Sequence, residues 1–165
     1  VIDSFYRTYN KLNESYRLII IGDGPEKEKL NNLVKKYKIS DKVSFKGKIY
    51  NINKYILESK LMLAGFSNNP IIESIVTDTP IIAVNLGETY KLYNKFNNVF
   101  IVDYENKYRI IRKEDYDELV NKTSKKMVEI IKNYKKYNFE NEINFENYNW
   151  NIRIKKEIKI YNDLL

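Results

Sequence analysis

The residues whose types and spacing are best suited to bind a ligand lie at positions 67–73, which read SNNPIIE. Asn68 or Asn69 is expected to cap a helix, and Pro70 suits the first turn of that helix. The free backbone amides of such a turn favour an anionic group, for example a diphosphate. Glu73, one turn further on, can accept two hydrogen bonds from vicinal hydroxyls, as on a ribose. The alternative is that Glu73 only offsets the helix dipole. The spacing alone does not separate the two interpretations.

A second candidate is the turn Gly22-Asp23-Gly24-Pro25, which follows an apolar run. Glycines let a ligand approach the backbone closely, and the helix that begins here would favour an anion. The stretch is not a G-x-G-x-x-G fingerprint, because Lys27 stands at the third glycine position. The simpler interpretation is a tight turn between a strand and a helix.

A third candidate is the segment Phe45-Lys46-Gly47-Lys48 at the end of another apolar run. Its functional interpretation is a backbone platform for a ring or base, with a lysine close to phosphate. Judged on these residues alone, a solvated strand end is the better interpretation.

The composition limits the chemistry. The 165 residues suggest one domain, and they contain no cysteine and no histidine, so thiolate nucleophiles, histidine bases and the usual zinc sites are excluded. The net charge of +7 suggests an anionic partner, but lysine and arginine are spread evenly along the chain. No apolar run is long enough to span a membrane, and no leader for secretion is recognised.

Short apolar runs alternate with segments of helical periodicity along the chain. Strands are predicted at residues 16–21 (a buried strand), 42–45, 60–64, 80–84 and 96–102. Helices are predicted at residues 1–10, 26–37, 52–57, 70–76, from 114 onward, and at 151–164. The polar segment 133–149 is interpreted as a surface connection between helices.

This alternation is typical of an α/β fold, a Rossmann-like doubly wound parallel sheet with helices on both faces. Ligands of such sheets bind at the carboxyl ends of the strands. The loops expected to matter are therefore those at 22–25, 46–51, 65–70 and 85–89.

Several motifs together resemble one family. Residues 18–25, LIIIGDGP, resemble the v-G-d-G-P stretch of retaining family 4 glycosyltransferases. Residues 43–47, VSFKG, resemble their v-x-F-x-G. Residues 69–73, NPIIE, with 80–83, PIIA, resemble their l-l-E-A-x-a-x-G-x-P-V-V-A, with the same step from glutamate to proline. Residues 148–150, YNW, resemble the start of their closing helix. The motifs occur in the family's order across nearly the whole chain.

The resemblance implies the C-terminal, donor-binding domain of a glycosyltransferase B-type enzyme, which binds a nucleotide-diphosphate sugar. Glu73 would contact the ribose. The implied diphosphate and sugar contacts are Ser67, Asn68, Asn69, Ile71 and Ile72, and the implied nucleotide contacts are Gly22, Gly24, Lys48 and Ile49, with catalytic residues unassigned.

The chain departs from the family pattern in four places. Gly65 stands where the family usually has a second glutamate that contacts the donor sugar. Pro70 removes one amide from the phosphate-facing turn. The family's G-G-x-x-E is only loosely matched at 86–89. The family's domain also begins with a central strand and a basic loop, whereas Val1 falls in what resembles the following helix, so the sheet is expected to lack its first strand.

Residues 1–165 are therefore interpreted as a single nucleotide-sugar-binding domain, a fragment of a two-domain enzyme of polysaccharide biosynthesis. The expected function is retaining transfer of a sugar, of hexosyltransferase type, to a hydroxyl acceptor, although this segment alone is expected to be inactive. The expected partners are the nucleotide-sugar donor and an N-terminal acceptor domain, with no nucleic acid, no metal and no cofactor. The expected location is cytoplasmic, with peripheral membrane association through the other half left open.

Two other functions remain open from the residues. One is a non-catalytic basic α/β module that binds RNA or another polyanion, although dispersed charge counts against it. The other is a phosphosugar epimerase of related fold, which the missing histidine disfavours.

Overall fold

The computed structural model describes residues 1–12, 15–64, 69–85, 93–104 and 111–141. The helices are α1 (Ile2–Tyr9), α2 (Lys27–Lys36), α3 (Asn53–Leu57), α4 (Asn69–Val76) and α5 (Tyr116–Lys132), and the strands are β1 (Leu18–Ile21), β2 (Val43–Gly47), β3 (Met62–Leu63), β4 (Ile81–Val84) and β5 (Val99–Val102). Each of these elements confirms a predicted one. The predicted helix at 151–164 lies outside the described residues.

The five strands are all parallel, which confirms the predicted class, but they form two sheets. One sheet consists of β1 and β2, and the other has the order β3-β4-β5. In the described part of the chain, β1 and β3 each pair along one side only. The division between the sheets thus falls at β1 and β3.

Helices cover both faces of the β3-β4-β5 sheet. Ile82 of β4 packs into a core cluster with residues of α1, α2 and α5, including Phe5, Val34 and Ile130. The neighbouring Ile81 points to the opposite face and packs against Ile75 of α4 in a second cluster. This alternation is what a strand buried on both faces requires.

β1 is only partly covered, which corrects the prediction of a buried strand at 16–21. Leu18 and Ile20 pack against the first cluster, but Ile19, which points to the other face, is 43% exposed. The sequence LIII predicts burial on both faces because every residue is apolar. In the described structure the second face of β1 has no packed helix to match α4.

The segment after α5 is more than the predicted surface connection. Residues Tyr134–Lys136 form a short 3-10 helix, and Phe139 packs against the first cluster. Its ring also lies edge-on to Phe100 of β5, with 6.3 Å between the ring centroids. The described part of this segment therefore contributes to the core.

Candidate functional site

The carboxyl ends of β1 and β2 are joined by two glycines. The amide of Gly22 donates a hydrogen bond to the carbonyl oxygen of Gly47 over 2.8 Å. Both glycines have positive φ angles, 129° at Gly22 and 68° at Gly47, which L side chains rarely adopt. A Cβ atom at Gly22, Gly24 or Gly47 would meet no heavy atom within 4 Å. These glycines therefore form an open surface, as the ligand-approach interpretation requires.

The loop after β2 presents an exposed cation and an exposed ring. The Lys48 Nζ lies 5.4 Å from the centroid of the Tyr50 ring, while Ile49 between them is half-buried. Tyr50 is 92% exposed. Nothing in the sequence marks Tyr50, because only its exposure in the structure distinguishes it from the many other tyrosines.

Helix α4 carries Glu73, which belongs to the second group of candidate site residues. Ile71 and Ile75 anchor the helix in the second cluster, whereas Ile72 is largely exposed. Glu73 lies between these faces and is half-buried. Within the described residues, the Glu73 carboxylate has no hydrogen-bond or ion-pair partner. Among the described residues, no side chain competes with a ligand for this carboxylate.

The helix-dipole interpretation of Glu73 loses its geometric basis in this structure. α4 begins at Asn69, so Glu73 is the fifth residue of the helix, and the first turn holds no acidic side chain. The effect of the dipole falls off within the first turn. Asn69 is thus the first helical residue rather than the predicted cap, and Asn68, the other predicted cap, lies outside the described residues.

The strands β1 and β3, which lead to the two groups of candidate residues, start close together. Just before β1 and β3 begin, the Lys60 Nζ is 5.5 Å from the centroid of the Tyr16 ring. Both strands then run into the same hydrophobic cluster. Their carboxyl ends, with Gly22 after β1 and α4 after β3, are therefore expected to face the same side.

The predicted Ser67 and Asn68, and Gly65 with them, lie outside the described residues. The buried Ile71 is a poor candidate for side-chain contact with a ligand, so any role it has would be through its backbone. In the described ranges no group of three or more acidic side chains converges to hold a metal ion. None of the helices described is both long and apolar enough to cross a membrane.

The most strongly shifted tyrosine pKa values lie outside this site, where α1, α2 and α5 meet. Asp3 accepts hydrogen bonds from the hydroxyls of Tyr37 and Tyr116. The hydrogen bond to Asp3 raises the pKa of Tyr37 to about 12. Burial, followed by the hydrogen bond to Asp3, raises the pKa of Tyr116. This cluster joins three helices and does not involve the predicted ligand contacts.

A buried polar group that the sequence does not predict lies against the end of α4. Asn98, just before β5, is fully buried and donates hydrogen bonds to the end of α4 and the following turn. No motif marks this position, because the sequence reads only as two asparagines before an apolar run.

Residues 1–138 match the family model described as glycosyl transferases group 1. The match covers well over half of the chain, and the chain therefore belongs to that family. Its parallel strands and flanking helices are those of the Rossmann-like domains in glycosyltransferase B-type proteins.

A curated relative, protein CapJ of Staphylococcus aureus, is 30% identical over 167 residues, which cover 93% of this chain. They cover only 38% of CapJ, so the chain spans well under half of that relative's length.

Among solved structures, the pneumococcal O-GlcNAc transferase GtfA, in complex with UDP and GlcNAc, matches with a TM-score of 0.61 at 18% identity. That match covers 81% of this chain and 26% of GtfA. HepE of Anabaena, in complex with UDP and glucose, matches with a TM-score of 0.62 at 14% identity. It covers 81% of this chain and 36% of HepE. At these identities the likeness establishes the fold.

Proposed function

We propose that this chain is the donor-binding part of a glycosyltransferase, which transfers a sugar from a nucleotide-diphosphate sugar to a hydroxyl acceptor. The observation that carries the proposal is Glu73. Its carboxylate is half-buried, lies beyond the first turn of α4, and has no partner among the described residues. A carboxylate in that position is suited to accept hydrogen bonds from the two hydroxyls of a ribose.

The proposed division of the site follows the two groups of residues. The backbone at the start of α4 would take the diphosphate, since amides at a helix N-terminus favour anions. Gly22 and Gly24 would line the nucleotide side. Lys48 and Ile49 would lie beside the base, with the exposed ring of Tyr50 available for stacking.

Family membership supports sugar transfer, and two structures of similar fold contain UDP, so UDP is the first donor nucleotide to test. Retention of configuration, a hexosyl donor and a role in polysaccharide biosynthesis belong to the proposal. So do a cytoplasmic location, an acceptor domain outside these residues, and lack of turnover by this segment alone.

The alternative of a polyanion-binding module finds no specific support. Lysine and arginine are spread evenly along the chain, and some of them form surface ion pairs, for example Arg7 with Asp117 at 2.8 Å and Lys122 with Glu118 at 2.7 Å.

Calorimetric titration with UDP, and then GDP, tests the proposal in the protein as encoded, with any sequence flanking residues 1–165 retained. Glu73→Ala should weaken nucleotide binding by about tenfold or more, because a hydrogen bond to a charged group contributes about 1.5–3 kcal/mol. Glu58→Ala is the matched control, since Glu58 lies on the surface 3.9 Å from Lys54. Equal affinity in wild type and Glu73→Ala would remove the ribose role of Glu73.

A further inference from the structure

The end of α4 is held by one buried amide. Asn98 is fully buried, and its Nδ2 donates hydrogen bonds to the carbonyl oxygens of Ser74 at 2.7 Å and Thr79 at 2.9 Å. Its Oδ1 accepts a hydrogen bond of 2.8 Å from the side chain of Asn141. Both protons of the amide and its oxygen are thus used, so a single orientation of Asn98 satisfies the group.

The carbonyl groups in the last turn of a helix have no partner within the helix. In α4, backbone amides of the following turn and side chains together supply those partners. The Glu73 carbonyl oxygen accepts hydrogen bonds from the Thr77 amide at 3.2 Å and the Thr77 hydroxyl at 2.9 Å. The Thr77 hydroxyl also lies 3.0 Å from that of Thr79. The backbone of Glu73 therefore belongs to the same hydrogen-bonded unit as the turn that Asn98 holds.

Asn141, which lies beyond α5, also forms hydrogen bonds with this turn. The backbone amide of Asn141 donates to the Asp78 carboxylate at 3.0 Å, and its side chain donates to the same oxygen at 2.9 Å. Asp78 has a φ of 52°, a left-handed conformation that costs energy in residues other than glycine. Asn141 therefore supports both the strained turn and Asn98.

We propose that Asn98 is a positioning residue for the donor site. By fixing the end of α4 relative to β4 and β5, it sets the place of Glu73 at the edge of the sheet, and Asn141 supports it from behind. The inference rests on the proposed function, because it takes Glu73 as a nucleotide contact. Asn98 itself contacts the backbone of α4 and the following turn and is not a ligand contact.

A double-mutant cycle separates positioning from a merely structural role. UDP affinity is measured by calorimetry for wild type, Asn98→Ala, Glu73→Ala and the double variant, in the protein as encoded. Asn98→Ala should weaken UDP binding about tenfold in the wild type, and should have little further effect when Glu73 is already absent. Unchanged UDP affinity in Asn98→Ala, or equal weakening in both backgrounds, would overturn the inference.

Two further variants keep the test decisive. Asn97→Ala is the matched control: among the described residues, the Asn97 side chain donates to the carbonyl oxygen of Glu140 at 2.8 Å and makes no hydrogen bond with α4, so UDP affinity should be unchanged. If Asn98→Ala does not fold, Asn141→Ala replaces it in the cycle and should show a smaller loss with the same dependence on Glu73. If the wild type binds neither UDP nor GDP, the proposed function fails. If the wild type binds and the cycle is additive, this inference alone fails.

Discussion

Strands β1 and β4, one from each parallel sheet, consist of similar apolar residues, and yet they are covered differently. β1 reads LIII and β4 reads IIAV. In β4, Ile81 and Ile82 point to opposite faces, and both are almost completely buried. In β1, Ile20 packs inward, whereas Ile19 is 43% exposed. The difference follows from α4, which packs against one sheet and not against the other.

The comparison explains how the two parts of the candidate site are held. On the side of the β3-β4-β5 sheet, Glu73 is carried by a helix that a hydrophobic cluster and Asn98 hold in place. On the side of the β1-β2 sheet, the site consists of glycine backbone with open space around it. We therefore expect substitutions on the first side to act through packing, and those on the second to act through backbone conformation.

The largest effect should come from a direct comparison of the two sheets. Ile81→Ala removes a fully buried side chain from the face that α4 covers and should lower the free energy of unfolding by about 2–5 kcal/mol. The matched substitution Ile19→Ala should cost about 1 kcal/mol or less, because Ile19 is already partly in water. Denaturant unfolding of both variants measures the difference. Equal losses would show that the second face of β1 is covered after all.

A smaller effect is expected at Gly47, whose carbonyl oxygen accepts the hydrogen bond from the Gly22 amide. Gly47→Ala forces alanine into a left-handed conformation and should cost about 1 kcal/mol of folding stability. No atom would clash with the new methyl group, so strain is the sole cause. Gly24→Ala, where the space is equally open and the φ is not in the left-handed range, is the control and should be close to neutral. Thermal unfolding compares the two, and a neutral Gly47→Ala would contradict the assigned conformation.

The smallest effect is expected at Asp3, where α1, α2 and α5 meet. Burial raises the pKa of Asp3, but hydrogen bonds from Tyr116 and Tyr37 outweigh it, so the net pKa lies below its ordinary value. A lowered folded-state pKa gives stability that is present above the unfolded value and is lost as the pH falls through the folded value. Stability should therefore decline in acid.

Tyr37→Phe should weaken that acid dependence, because it removes one of the hydrogen bonds that lower the pKa of Asp3. Melting temperatures between neutral pH and pH about 3 measure the effect, since an ordinary Asp titrates near 3.9. Tyr50→Phe is the control, since Tyr50 is almost fully exposed. An identical pH profile in Tyr37→Phe and wild type would rule out this contribution.

The order of the elements could be predicted from the sequence because it depends on local properties. Apolar runs of strand length, helical periodicity, and turns such as 22–25 indicated each described helix and strand. The position of Glu73 beside a helix start followed from Pro70 and the asparagines before it. The family followed from the order and spacing of the same motifs.

Burial and side-chain pairing could not be predicted, since they depend on residues distant in the chain. Ile19 and Ile81 are the same residue type in similar runs, and the packing of α4 on Ile81 is what distinguishes the buried residue from the exposed one. Asn98, Ser74 and Asn141 carry no local signal, because their hydrogen bonds join segments 24 and 43 residues apart. The sequence by itself thus determined the elements and the family, whereas the tertiary structure decided which faces are covered and what holds Glu73, because only the folded chain brings those groups within contact distance.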